Sequence, residues 1–156
     1  MNALTKITIY SAHHDWRNFD AVRRALQEQP DMRLLGWAED EKTLLKGIQK
    51  HLPGVLLFEN GFETRNRLEL FQAIRTMSPL TRILVVSGQY STDEEARAAV
   101  EGARGYICEP FTPETLQKAV RATWEGEVWM RRSTVSMVLK DMIRSESPSG
   151  KTLPPH

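Results

Sequence analysis

Five short apolar segments that alternate with helical segments constrain the fold of this chain more than any other feature. Residues 55–58 are apolar at every position, which is typical of a parallel strand covered on both faces. The other four predicted strands span residues 7–12, 32–38, 83–86 and 105–108. Because strands and helices alternate, the pattern predicts a doubly wound α/β fold, with a five-stranded parallel sheet between two layers of helices.

The helical segments carry apolar residues at intervals of three and four positions, which indicates one buried face per helix. The predicted faces of the first two helices comprise Trp16, Phe19, Val22 and Leu26, and then Leu44, Leu45, Ile48 and Leu52. Asp40, Thr92 and Thr112 are predicted to cap helices, because their short polar side chains accept hydrogen bonds from free backbone N–H groups. Gly102 is predicted to end the helix that Thr92 starts.

The composition divides the chain into three parts. Residues 1–126 form the predicted α/β domain. Residues 127–144 contain a short amphipathic helix, for which Ser133 or Thr134 is the predicted cap. Its apolar stripe comprises Val135, Val138, Leu139 and Met142. Residues 145–156 are rich in Ser, Pro and Gly, and this composition predicts a linker or a disordered tail.

Charge and cysteine content exclude several classes of function. The 156 residues carry a net charge of +1, so no overall charge directs the chain to nucleic acid or to an anionic membrane. Cys108 is the single cysteine, which excludes an internal disulfide and suits a reducing compartment. No apolar run is long enough to cross a membrane, and the first residues lack the apolar stretch of a signal peptide. We therefore expect a soluble cytoplasmic protein.

Polar or acidic residues stand where three of the predicted strands end. Glu59 follows the third strand, Ser87 the fourth, and Glu109 the fifth, where Pro110 comes next. In this order and at these separations, the three endings resemble those of the receiver domain of bacterial response regulators. The resemblance covers roughly residues 6–125 and implies the flavodoxin-like (βα)5 fold of that family, here with an extra C-terminal helix.

Two further motifs resemble one subclass of these regulators. Gly-Ala-Arg-Gly-Tyr at residues 102–106 and Gly-Glu-Val-Trp at residues 126–129 are similar to proteins in which a LuxR-type helix-turn-helix follows the receiver. The resemblance implies that DNA is bound only through such a C-terminal domain, which this sequence lacks. The chain is therefore either truncated, which we favour, or it stands alone.

The residues at the strand ends depart from the family pattern. The resemblance implies a phosphoryl-accepting aspartate, a Thr or Ser, and a lysine before proline, whereas this chain has Glu59, Ser87 and Glu109. Only the hydroxyl is kept, and the charge at the lysine position is reversed. The resemblance therefore implies an atypical receiver with a degenerate phosphorylation pocket and no catalytic residue.

The acidic pair that holds a divalent cation in the family is also missing. Its position falls on His13 and His14, or on Ser11 and Ala12 in a second possible register. Neither register supplies two carboxylates. Because hard cations such as Mg²⁺ prefer oxygen ligands, we expect no Mg²⁺ and no other metal site.

Glu59 and Glu109 are predicted to converge on one pocket, where two carboxylates repel each other unless a cation lies between them. A protonated His13 or His14 would supply that cation. Alternatively, all four side chains extend into water, where their interactions contribute little. Glu59 itself either mimics the phosphorylated state or only maintains solubility.

Two aromatic positions have both a functional and a packing interpretation. Tyr106 corresponds to the switch aromatic of the family, although a tyrosine in a strand is equally explained by packing. Trp129-Met130-Arg131-Arg132 resembles a motif that binds cyclic di-GMP in some regulators, with Trp129, Arg131 and Arg132 as contacts. The alternative is that Trp129 packs the last helix onto the domain and the arginines are solvated.

We therefore expect a phosphorylation-independent signalling module rather than an enzyme. It would serve as the regulatory and dimerisation domain of a transcriptional regulator, without a cofactor and without a membrane partner, and would form a homodimer. The alternative is a dimerisation module that responds to cyclic di-GMP through residues 129–132.

Overall fold

The computed structural model of the chain describes residues 6–146 and forms one five-stranded parallel sheet. The strands are β1 (Ile7–Ala12), β2 (Met32–Ala38), β3 (Val55–Glu59), β4 (Arg82–Ser87) and β5 (Gly105–Cys108). They lie in the order β2-β1-β3-β4-β5, and every neighbouring pair is parallel. The predicted doubly wound architecture is confirmed.

Within the described residues, six helices follow or connect the strands. They are α1 (Trp16–Leu26), α2 (Glu41–His51), α3 (Arg67–Met77), α4 (Thr92–Val100), α5 (Pro113–Trp124) and α6 (Arg132–Glu146).

Alternate residues of β3 enter two different cores, as the two-residue period of a strand requires. Leu56 and Phe58 pack with residues of α2, α3 and α4, whereas Val55 and Leu57 pack with residues of α1 and α5.

Of the three helix caps predicted within the α/β domain, two agree with the structure and one does not. Asp40 accepts a hydrogen bond from the Thr43 N–H at 2.8 Å, and Thr112 accepts one from the Thr115 N–H at 3.1 Å. The prediction that Thr92 caps α4 is wrong, because Thr92 is already helical. Ser91 has the extended backbone of a cap, and its hydroxyl accepts the Glu94 N–H at 3.2 Å.

Two residues of the predicted apolar faces point to solvent. Trp16, in the first turn of α1, is 60 % exposed, because α1 reaches the core only from Val22 onward. Leu52 follows the last turn of α2 with a left-handed backbone (φ +44°) and is largely exposed. That conformation turns its side chain away from the face formed by Leu44 and Ile48.

The segment between α5 and α6 extends the sheet edge by one residue pair. The Trp129 N–H donates to the Arg104 carbonyl and the Tyr106 N–H donates to the Trp129 carbonyl, each at 2.9 Å. Trp129 thereby forms a parallel bridge to Gly105. The chain then leaves the edge of β5 and enters α6.

α6 begins earlier and ends later than the sequence indicates. It starts at Arg132, so Ser133 and Thr134 lie inside the helix and the prediction that either is its cap is wrong. Residues 145 and 146 are helical rather than part of a linker, and the remainder of the predicted tail lies outside the described residues. Within residues 6–146, no helix is both long enough and apolar enough to cross a membrane.

We predict that Gly47→Ala destabilises the protein. Alanine ordinarily stabilises a helix interior relative to glycine by about 0.5–1 kcal/mol, but here an added Cβ would lie 2.3 Å from Cζ of the buried Tyr10 ring. Overpacking of this kind costs about 1–3 kcal/mol, measurable by urea unfolding. Gly88→Ala is the matched control, because an added Cβ there meets nothing within 4 Å. Equal stability of the two variants would contradict the packing of α2 on β1.

Candidate functional site

The carboxyl ends of β1, β3, β4 and β5 open into a cleft of about 840 Å³, which we call the strand-end cleft. Ligand sites of doubly wound sheets lie at this edge. His13, Glu59, Ser87 and Glu109 all line the cleft. His14, the fifth predicted pocket residue, contacts Glu59 from the exposed rim.

Both oxygens of the Glu59 carboxylate are engaged. Oε1 accepts the backbone N–H of His14 at 2.8 Å and lies 3.2 Å from Nδ1 of the same residue. Nδ1 of His13 is 3.7 Å from Oε1. Oε2 accepts a hydrogen bond from the Asn18 amide. The Glu59 side chain is only 14 % exposed, so it does not extend into water.

Sequence reasoning missed Asn18, although a signal was present. Asn18 lies one turn before the core residue Val22 on α1, and positions four apart share a helix face. Asn18 and Val22 both line the strand-end cleft. A polar residue on an otherwise apolar face, close to the end of β3, indicates a buried polar partner.

The surroundings of Glu59 favour its ionised form. Burial is the largest single influence and favours the neutral acid, but His13, the His14 N–H and the His14 ring together outweigh it. They hold the pKa of Glu59 at about 2, below its ordinary value of 4.5. Glu59 is therefore a carboxylate at every physiological pH.

The two predicted registers place the acidic-pair position either on His13 and His14 or on Ser11 and Ala12. Ser11 and Ala12 lie within β1 and are buried. His13 follows β1 directly, and its backbone N–H donates to the Ala38 carbonyl at 3.0 Å. Its side chain is 1 % exposed, and neither ring nitrogen has a hydrogen-bond partner.

Glu109 is not held by a histidine. Its side chain is exposed and forms no ion pair within 4.0 Å with any side chain of the described part of the chain. The expectation that one histidine neutralises both carboxylates is wrong for Glu109, because β4 lies between β3 and β5. Two strand spacings separate the ends of β3 and β5 by about 10 Å.

Ser87 and Tyr106 meet at the loop that follows β4. The buried Ser87 hydroxyl donates to the Gln89 carbonyl at 2.8 Å, and the Tyr106 hydroxyl donates to the same oxygen at 3.4 Å. Tyr106 is buried, and burial raises the pKa of its hydroxyl. The Tyr106 ring also meets the edge of the Tyr90 ring, with centroids 6.1 Å apart.

The residues of the predicted nucleotide motif make internal contacts. Trp129 is half-buried against the core that contains Ile107 and Val120. The Arg131 guanidinium lies 3.7 Å above the Tyr90 ring, and Arg132 is an exposed first residue of α6. The packing interpretation accounts for Trp129, and this arrangement does not support the cyclic di-GMP alternative.

A buried carboxylate that sequence reasoning missed joins α4 to α6. Glu95 is 2 % exposed and accepts hydrogen bonds from the Tyr90 hydroxyl at 2.9 Å, the Thr134 hydroxyl at 2.5 Å and the Arg131 N–H at 3.0 Å. We call these four residues the Glu95 cluster. The sequence places Glu95 in an acidic first helical turn, where exposure is the rule, so its burial by α6 could not be foreseen.

A second missed network holds the other side of α4. The buried Arg67 guanidinium pairs with Glu94 at 2.8 Å and with Glu101, and it donates to the Asn60 side chain at 3.0 Å. Asn60 directly follows Glu59 at the end of β3. Arg67 therefore links the floor of the strand-end cleft to α4.

The fold and the arrangement of the strand ends define a receiver-type domain. The chain belongs to the response regulator receiver domain family, which it matches over residues 9–121. It is similar to the uncharacterized transcriptional regulatory protein YxjL of Bacillus subtilis, with 25 % identity over 128 residues, covering 81 % of this chain and 58 % of that protein. The probable transcriptional regulatory protein NarL of Mycobacterium tuberculosis is 25 % identical over 134 residues, covering 86 % of this chain and 62 % of that protein.

The chain thus spans about three-fifths of the length of these curated relatives. Solved structures have the same fold. The signal receiver domain of the putative response regulator NarL from Mycobacterium tuberculosis superposes with a TM-score of 0.72 at 24 % identity, covering 78 % of this chain and 98 % of that one. The RcsB response regulator of Salmonella typhimurium gives a TM-score of 0.73 at 16 % identity, covering 94 % and 80 %.

We predict that Glu59→Gln removes part of the pH dependence of stability. Because the folded pKa is lowered, the stabilisation is present above pH 4.5 and is lost as the pH falls toward 2. The shift corresponds to about 3 kcal/mol at neutral pH. Urea unfolding of the native chain and of Glu59→Gln across this range should give curves that converge in acid. Glu63→Gln, at an exposed position, is the control, and parallel curves for Glu59→Gln and native protein would contradict the assignment.

Proposed function

We propose that this chain is a receiver module that signals without accepting a phosphoryl group, and that it acts as the regulatory and self-association domain of a transcriptional regulator. The observation that carries the proposal is the engagement of both Glu59 oxygens, by His14 on one side and Asn18 on the other. A carboxylate acts as a nucleophile only when an oxygen can approach the phosphorus atom in line.

The cation site of the family supports the same conclusion. Phosphoryl transfer depends on positive charge that neutralises the phosphoryl oxygens. The donors at the end of β1 are the imidazoles of His13 and His14, which do not fit the all-oxygen coordination that Mg²⁺ requires. Across the described residues, no three His, Cys, Asp or Glu side chains are grouped so that they could hold a metal ion. Glu109 adds negative charge where the family has a lysine.

We predict that the chain stays unmodified when it is incubated with acetyl phosphate and Mg²⁺. Intact-mass measurement should show no phosphoryl adduct for the native chain or for Glu59→Asp, because the aspartate alone restores neither the cation site nor the lysine. A receiver domain with the complete family residue set, labelled in parallel, is the positive control. A stoichiometric adduct on the native chain would refute phosphorylation independence.

The Glu95 cluster supports a role for α6 in output. A carboxylate that leaves water is stable only when its oxygens are hydrogen-bonded, and two of the three donors, Thr134 and the Arg131 N–H, come from α6 or the residue before it. The third, Tyr90, belongs to the loop after β4 that also lines the strand-end cleft. The position of α6 is thereby tied to the loop at the cleft.

The exposed apolar residues of α6 support self-association. Leu139, Met142 and Ile143 are exposed, Ile143 to 68 %. Leu139 and Met142 also line an open groove of about 340 Å³ between α6 and the body of the domain, together with Val128, Met130 and Val135. A contiguous apolar surface of this kind marks an interface.

A second copy of the chain is the partner that fits the proposed role. The relatives are named as transcriptional regulators, and regulators of this kind commonly read two-fold DNA sites as dimers. An interface that includes α6 would bring together the two chain ends that follow it. DNA binding would then belong to a region outside the described residues.

We predict that Met142→Glu with Ile143→Glu weakens self-association. Sedimentation equilibrium of the native chain should show a monomer–dimer equilibrium, and the double variant should weaken it at least about tenfold, since burial of each side chain contributes about 1.5–3 kcal/mol. Lys140→Glu, exposed on the same helix, is the control for charge. Circular dichroism should show unchanged helix content. A native chain that remains monomeric at all concentrations would contradict the proposal.

A further inference from the structure

An open apolar groove lies between α6 and the body of the domain, and we call it the α6 groove. Its volume of about 340 Å³ lies within the range of about 300–1,000 Å³ that small-molecule sites occupy. α6 forms one wall with its amphipathic stripe, and the body of the domain forms the other. The larger apolar side chains that line the groove are Val128, Met130, Val135, Val138, Leu139 and Met142.

The body of the domain leaves part of the α6 stripe uncovered. Leu139 is 52 % exposed and Met142 is 53 % exposed, although both line the groove. An amphipathic helix ordinarily buries such a stripe against its domain. Here the body contributes the small side chains of Ala99 and Ala103, which leave space between the two walls. The groove therefore offers apolar surface to a hydrocarbon group.

Two arginines supply the charge in the lining of the α6 groove. Arg75 and Arg104 line it, and none of the described residues that line it is an Asp, Glu, Lys or His. Neither arginine forms an ion pair within 4.0 Å with a side chain of the described part of the chain. Two guanidinium groups without a carboxylate beside them attract an anion and repel a cation.

The Arg75 guanidinium packs against the main chain at the edge of the groove. Gly102 has a left-handed backbone (φ +110°), and a Cβ added there would lie 2.4 Å from Nη1 of Arg75. A residue with a side chain at position 102 would be strained and would displace the guanidinium. The glycine thus sets where the positive charge of Arg75 lies.

A smaller recess adjoins the α6 groove at the same residues. It has a volume of about 150 Å³ and shares Arg75, Gly102 and Arg104 with the groove. Arg82 also lines the recess, and its Nη1 donates to the Trp124 carbonyl at 2.9 Å. No carboxylate of the described residues lines it. Because guanidinium groups pair with carboxylates in a bidentate geometry, the junction of the two cavities suits the acid group of a ligand.

We propose that the α6 groove binds a fatty acid, with its carboxylate at Arg75 and Arg104 and its hydrocarbon chain between α6 and the body of the domain. A carboxylate accepts hydrogen bonds and donates none, whereas a guanidinium group only donates. The hydrocarbon chain covers the part of the stripe that the domain leaves open. The groove and both arginines belong to one copy of the chain, so this inference does not depend on self-association.

The test uses the full chain with hexanoate, octanoate and decanoate as probes, each below its micellar concentration. Isothermal titration at constant ionic strength should show saturable binding that tightens about fourfold for each methylene that the groove buries. Acetate, which lacks the chain, and octylamine, whose charge is reversed, should not bind. 1-Octanol, which lacks only the charge, should bind at least about tenfold more weakly than octanoate.

Variants separate the two parts of the site. Arg75→Gln with Arg104→Gln should weaken octanoate binding at least about tenfold, because the charge-assisted hydrogen bonds are lost. Leu139→Gln should reduce the gain in affinity per methylene. Arg33→Gln with Arg65→Gln is the matched control, because it removes the same charge at exposed positions that do not line the groove. Thermal unfolding should show that each variant is folded.

Methionine methyl resonances report where the ligand lies. Met130 and Met142 line the groove, whereas Met32 is buried in the core beside β1. Binding of octanoate should move the first two resonances and leave the third in place. Absence of saturable binding, equal affinity of native protein and the Arg75→Gln, Arg104→Gln variant, affinity that does not change with chain length, or binding that leaves Met130 and Met142 in place would each overturn the proposal.

Discussion

The burial of ionised carboxylates is the constraint on which the arrangement of this domain depends. Glu59 lies at the end of the central strand and Glu95 lies under α6, and both are largely removed from water. A carboxylate in such a position is costly unless every oxygen is hydrogen-bonded. Donors from α1, from the loop after β4 and from the start of α6 meet this requirement, so the two carboxylates determine how these segments pack around the sheet.

Hydrogen bonds and ion pairs also connect the strand-end cleft to α6. Asn60, next to Glu59, accepts from Arg67, and Arg67 pairs with Glu94 and Glu101 on α4. Glu95, the residue after Glu94, accepts a hydrogen bond from the Thr134 hydroxyl of α6. Each link is a short contact between charged or polar groups. α4 supplies residues to both networks, to Arg67 on one side and to α6 on the other. A displacement of the loop after β4 would alter both the hydrogen bond from Tyr90 to Glu95 and the contact between the Tyr90 and Tyr106 rings.

The fold could be predicted from the sequence because it follows from local patterns. The apolar residues 55–58, the alternating helices and the caps at Asp40 and Thr112 each act within a few positions, and the structure agrees with them. The site could be predicted in part, because parallel strands bring Glu59, Ser87 and Glu109 to one edge. A histidine beside Glu59 could be predicted as well. Asn18 as a partner of Glu59 and the α6-side partners of Glu95 could not, since these contacts join residues 36–41 positions apart. Polar side chains do not recur at regular intervals along the sequence, so no periodic pattern reveals such contacts.

The shape of the strand-end cleft and its electrostatics depend largely on different residues. The shape comes from the strand order and from apolar residues such as Val86, which serve the core regardless of any ligand. The electrostatics come from a few side chains at the ends of the strands. Among these, Glu109 is exposed, whereas the His13 ring is buried beside Phe19. A substitution at Glu109 therefore leaves the packing intact, whereas a substitution at His13 disturbs buried contacts.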